Sequence, residues 1–121
     1  MDVITINMTY WDILDDFIRS NNIVIDRKKG TTHPKYENMI YPVDYGFIAN
    51  TKSMDGNGID IFVGEENEKK INGIICIADK IKNDSEIKII YGCNDSEIEL
   101  ILKFLNNSDY MKAVFINHDN H

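Results

Sequence analysis

The chain is divided into apolar runs too short for helices and spaced by polar turns, and this limits it to a sheet-centred fold. Ile23–Arg27, Ile59–Val63, Ile71–Ala78, Glu86–Tyr91 and Met111–Asn117 each read as a strand. Shorter strand-like pieces stand at Val3–Asn7, Met39–Tyr41 and Phe47–Ala49. Only two segments have helical spacing. Thr9 caps a helix over Tyr10 to about Ser20, with Trp11, Leu14, Phe17 and Ile18 as its apolar stripe and Asp12 in the first turn. Asn94 and Glu97 form a capping box for a second helix, from about Asp95 to Asn106, whose stripe is Ile98, Ile101, Leu102 and Leu105. Both stripes are core packing. Many short strands with one helix in front and one near the end predict an α+β domain with a small barrel-like sheet.

The 121 residues carry no repeat, low-complexity segment or linker, so they predict one domain. Within it, residues 1–22 form an N-terminal strand and helix, and residues 23–117 form the barrel and C-terminal helix. A net charge of -7 argues against nucleic acid or an anionic membrane as partner. No apolar run reaches transmembrane length, and the start of the chain lacks the basic region of a secretory signal, so the expected compartment is the cytoplasm. Cys76 and Cys93 have no metal-like spacing and read as buried thiols. The three histidines give no support to a histidine metal site.

The chemistry is concentrated in acids at strand ends. Asp55 and Asp60 flank a glycine-rich turn, Asp55-Gly56-Asn57-Gly58-Ile59-Asp60, and Asp79 and Asp84 follow a later strand. Clustered carboxylates repel one another unless a cation neutralises them, and all-oxygen donors favour Mg2+, Mn2+ or Ca2+. Any one of these aspartates alone is a turn former. A calcium-binding EF-hand loop is excluded, because Ile59 and Asp60 stand where that loop needs an oxygen ligand and a glycine, and strands flank it. The loop Lys28 to Asn38 is basic in an acidic chain, which suits a solvated surface or the anionic end of a phosphate compound. Tyr45, in Tyr41-Pro42-Val43-Asp44-Tyr45-Gly46-Phe47-Ile48, offers a phenol that can donate to phosphate.

Taken in order, Lys29-Gly30-Thr31, Lys35-Tyr36-Glu37, the Tyr41 to Ile48 segment, the Asp55 to Asp60 segment and Asp79…Asp84 resemble the soluble family I inorganic pyrophosphatases over residues 23 to 105. The resemblance implies a small closed five-stranded OB-like β-barrel with flanking helices, and Mg2+-dependent hydrolysis of inorganic diphosphate, with Mn2+ as a substitute. It implies Asp55, Asp60 and Asp84 as ligands of the tightest metal, and Asp79 and Glu37 as ligands of metals that arrive with substrate. Lys35 and Tyr45 resemble phosphate-binding groups, with Arg27 and Lys88 standing in for an arginine and a lysine that the pattern places elsewhere. Asp55, Asn57 and Asp60 match the catalytic signature. Asn57 replaces the aspartate that orients the attacking water, and an asparagine cannot take that proton at neutral pH. Paired metals about 3.5–4 Å apart would lower the pKa of a shared water towards about 7.

Two other readings stay open at this level. One is a metal- or phosphate-binding domain that kept the fold without catalysis. The other is a hydrolase of an organic diphosphate. The first helix is free to pack on the sheet or against a second copy of the chain, which would make a homo-oligomer.

Overall fold

The computed structural model describes residues 8–118, so the strand expected at Val3–Asn7 lies outside the described residues. The elements run α1 (Tyr10–Ser20), β1 (Ile23–Arg27), β2 (Asp44–Ile48), β3 (Ile59–Val63), β4 (Ile71–Asp79), β5 (Asp84–Tyr91), α2 (Asp95–Leu105) and β6 (Met111–Asn117). Both helices begin where the caps place them. Thr9 and Asp12 close one capping box, Asn94 and Glu97 the other, each satisfying N–H groups that the first turn leaves unpaired.

The strands form one six-stranded sheet in the order β1-β2-β3-β5-β4-β6. All pairs are antiparallel except β3 with β5, which is parallel. The closed five-stranded barrel expected above is therefore not formed by hydrogen bonds among the described residues, since β1 pairs only with β2 and β6 only with β4. The physical reason lies in the burial. A barrel has one interior, whereas this sheet buries apolar side chains on both faces. Ile48, Ile59, Ile61 and Ile89 pack with Leu14 and Ile18 of α1, and Phe62, Ile75, Ile77 and Ile90 pack with Ile101 and Leu105 of α2.

Three local differences from the sequence expectation matter for the site. The piece at Met39–Tyr41 is not a strand but a loop end held by one bridge, Thr32 to Ile40, and by the Tyr41 N–H donating to Thr31 O at 2.9 Å. Next to it, Pro42 has no N–H to give a ladder. Strand β2 begins at Asp44, which takes Tyr45 into the sheet. Strand β5 begins at Asp84, directly opposite Asp79 across the β4–β5 turn.

The sheet needs glycine where β1 crosses β2. A Cβ on Gly46 would lie 1.8 Å from the backbone oxygen of Val24, so β1 and β2 approach there only because residue 46 has no side chain. Just beyond, β1 carries a bulge: Ile25 faces Gly46 but Arg27, not Asp26, faces Tyr45. The extra residue turns Arg27 towards the tyrosines.

Cys93 is buried, and burial, with Glu97 beside it, pushes its thiol up to about 12. An unfolded cysteine ionises near pH 8.5. The native thiol therefore holds its proton where the unfolded one has lost it, and stability falls as pH rises from about 8.5 towards 12. At pH 8, Cys93 is expected to react with a thiol reagent only after the protein is unfolded in denaturant. Rapid labelling of Cys93 in the native protein would contradict this burial.

Candidate active site

Successive side chains on a strand alternate between faces, so Asp84, Glu86 and Lys88 share one face of β5. Lys88 lies opposite Asp60 of parallel β3, and Asp79 lies opposite Asp84. Phe62 and Ile90, two residues further along the same strands, are fully buried under α2. The α2 side of the sheet therefore changes from apolar to charged towards the N-terminal ends of β3 and β5. This is the face on which the charged side chains gather.

At its centre is Lys88, only 8% exposed. Its Nζ donates to Tyr45 OH at 2.6 Å, to Asp60 Oδ2 at 2.8 Å and to Glu86 Oε1 at 3.0 Å. Burial alone would lower the lysine, but Tyr45 and the Asp60 carboxylate outweigh it, and Lys88 is held above its ordinary range as a fixed cation. Burial pushes the Tyr45 phenol up, so it remains protonated. The Tyr45 ring stacks on Tyr41 at 5.4 Å and packs tilted against Phe62 at 4.7 Å between centroids. The Arg27 guanidinium lies over both tyrosine rings and donates to Tyr41 OH.

The other residues singled out in the sequence lie on turns, loops and strand ends outside this centre. Asp55 sits at an exposed turn, where its Oδ1 accepts from Ser53 Oγ at 2.5 Å and from the Asn57 N–H at 2.9 Å. These bonds, Ser53 first, hold its carboxyl below the usual range. Gly56 makes the turn with φ +85°, and the Asn57 side chain is exposed. Asp79 Oδ1 caps the β4–β5 turn through the N–H groups of Ile81 and Lys82. Asp79 and Asp84 line a shallow depression with Lys80, Asp109, Tyr110 and Lys112. Lys35 and Glu37 are exposed on the 28–40 loop, and among the described residues their side chains make no hydrogen bond or ion pair with the central group. That loop is tied in through His33, which stacks on Tyr41, packs tilted against Tyr36 and accepts from the Lys35 N–H.

The structure thus brings Asp60, Lys88, Tyr45 and Arg27 into one cluster and leaves Asp55, Asp79, Asp84, Lys35, Glu37 and Asn57 outside it, on loops and strand ends here called the rim. Two further residues that touch this cluster were given no role from the sequence. Glu86 becomes meaningful only through its place beside Lys88, which period-two spacing could have shown. Tyr41, buried, links Arg27 to Tyr45, and although it opens the Tyr41 to Ile48 segment, the sequence assigned it no role.

The carboxylates have the hard-oxygen chemistry of a Mg2+ site. Among the described residues, however, no three His, Cys, Asp or Glu side chains converge closely enough to hold a metal ion. Asp60 and Glu86 meet an ammonium instead, and the residues present do not fit a resident divalent cation between them. No helix among the described residues is long and apolar enough to cross a membrane.

Comparison with known proteins adds three findings. The family model described as inorganic pyrophosphatase matches residues 19–87, which run from the end of α1 into β5 and include Asp55, Asp60, Asp79 and Asp84. Among solved structures, an inorganic phosphatase from Anaplasma phagocytophilum is similar in fold, with a TM-score of 0.52 and 17% identity, over 78% of this chain and 81% of that one. No curated protein gives a significant match.

Proposed function

The chain belongs to the inorganic pyrophosphatase family and is an inorganic diphosphatase, and from that premise we propose how its own residues serve the reaction. The family is generally dependent on divalent metal. Our reading is that diphosphate is bound and hydrolysed as its Mg2+ complex, with Mn2+ as a substitute. The single observation that carries it is the coincidence of the family match with the charged face of β3 and β5.

Diphosphate is densely anionic, and an acidic protein cannot approach it without cations. Ions that arrive on the substrate would meet the rim carboxylates Asp79, Asp84 and Asp55, with Glu37 reaching in from the 28–40 loop. Arg27, the Tyr45 phenol and Lys35 would take phosphate oxygens, and Lys88 adds positive charge beneath them. Arg27 can present its guanidinium as a fork to two oxygens of one phosphate. Holding the phosphoanhydride against these fixed charges leaves little covalent work for the protein, since phosphoryl transfer depends mainly on positioning and charge stabilisation. Asn57 can accept a hydrogen bond from the attacking water and orient it, but cannot remove its proton.

The test is phosphate release from inorganic diphosphate by the purified protein, with Mg2+ and with a chelator. Turnover that requires Mg2+ and falls on the order of 100-fold in Asp84→Ala is expected. Phosphate release that persists in chelator would contradict the proposal. Silence with diphosphate, accompanied by cleavage of an organic diphosphate, would move the substrate to the bulkier class.

A further inference from the structure

The position of Lys88 carries a consequence beyond the binding of phosphate. An ammonium has three N–H donors. All three are used here, on Tyr45 at 2.6 Å, Asp60 at 2.8 Å and Glu86 at 3.0 Å. Its backbone is equally fixed, because Lys88 stands between Asp60 of β3 and Ile75 of β4 in the middle of the sheet. The side chains of Asp60 and Glu86 are 23% and 15% exposed. Two carboxylates this far withdrawn from water need a counter-charge nearby, and removing it from such a group is costly.

We infer that Lys88 is a resident cation: its ammonium fills the place between Asp60 and Glu86 and keeps a divalent ion out of it. A tethered ammonium has no dissociation constant to satisfy. The charge at this part of the site is then the same at every Mg2+ concentration, and the protein is fully folded without metal. Any cation dependence of the reaction reflects the ions that come with diphosphate to the rim acids. The inference rests on the proposed function only for the kind of ion displaced.

The experiment follows melting temperature against Mg2+ in the absence of diphosphate, in wild type, Asp60→Asn, Lys88→Met and the double variant Lys88→Met/Asp60→Asn. Lys88→Met removes the ammonium and leaves two facing carboxylates. It should melt lower than wild type without metal and recover by about 5 °C or more in Mg2+, a recovery absent from the double variant. A merely structural role would lower the melting temperature equally with and without Mg2+, and that result overturns the inference. Wild type and Asp60→Asn should respond to Mg2+ identically. A wild-type response lost in Asp60→Asn would place a divalent ion at Asp60 beside Lys88 and also overturn it. That second comparison decides the matter if Lys88→Met does not fold. Because diphosphate is never added, failure of the hydrolysis assay leaves these outcomes unaffected.

Discussion

Gly46→Ala is expected to abolish or nearly abolish the native fold. The new methyl carbon would lie 1.8 Å from Val24 O, 2.7 Å from Val24 C and 2.9 Å from the Ile25 Cα, all backbone atoms of the neighbouring strand. A flexible side chain could swing aside, but a strand in a ladder can yield only by breaking its hydrogen bonds with β2. Losses from such backbone conflicts reach about 4 kcal/mol or more, against a total stability typically of about 5–15 kcal/mol. The melting temperature should fall by about 15 °C, or no cooperative transition should remain. Gly56→Ala is the internal comparison. Its φ of +85° is unfavourable to alanine, but a Cβ there meets nothing within 4 Å, so the expected cost is about 1 kcal/mol. Equal effects at the two positions would show that the close approach of β1 to β2 is not what residue 46 protects.

The second large effect is expected at Asp60. Asp60→Ala withdraws one of the two carboxylates that hold Lys88, leaving the ammonium to Glu86 and Tyr45 at a position 8% exposed. Breaking a withdrawn ion pair from one side costs more than the pair contributes, because the remaining charge keeps its desolvation penalty. A loss of about 2–3 kcal/mol in urea denaturation is expected, since two of the three partners remain. Phosphate release should fall on the order of 100-fold, since Tyr45 and Lys88 lose their common anchor and small misplacements at a reacting centre are expensive. Asp60→Asn keeps an acceptor without the charge and should fall between the two proteins in stability. Normal turnover in a destabilised Asp60→Ala would separate the ion pair from the reaction.

Legibility in the sequence followed the range of the interaction. The helices α1 and α2 were readable because their caps and stripes are local, confined within a few residues of Thr9 and Asn94. The shared face of Glu86 and Lys88 was readable because strand alternation is also local, whereas the extension of that strand back to Asp84 was not. Strand order was not. Whether β1 and β6 close on each other depends on which faces the helices cover, and no segment states this alone. The same limit hid the meaning of Lys88. Its partners Asp60 and Tyr45 lie 28 and 43 positions away, and the parallel register that joins Asp60 to Lys88 leaves no mark in either strand. The bulge that turns Arg27 instead of Asp26 towards Tyr45 was equally silent.

The parallel pairing of β3 with β5 also sets an order of events in folding. β4 and β5 can form as a tight hairpin with Asp79 facing Asp84, a contact between near neighbours in the chain. Joining β3 to β5 must wait until that hairpin docks, because the intervening strand lies on the far side of β5. Long-range pairing of this kind bears the entropy of loop closure before it returns any contact energy, and it is characteristically slow. The charged centre is therefore completed only at the step that seats β5 beside β3. A chain emerging from the ribosome carries Asp60 well before the lysine that will neutralise it.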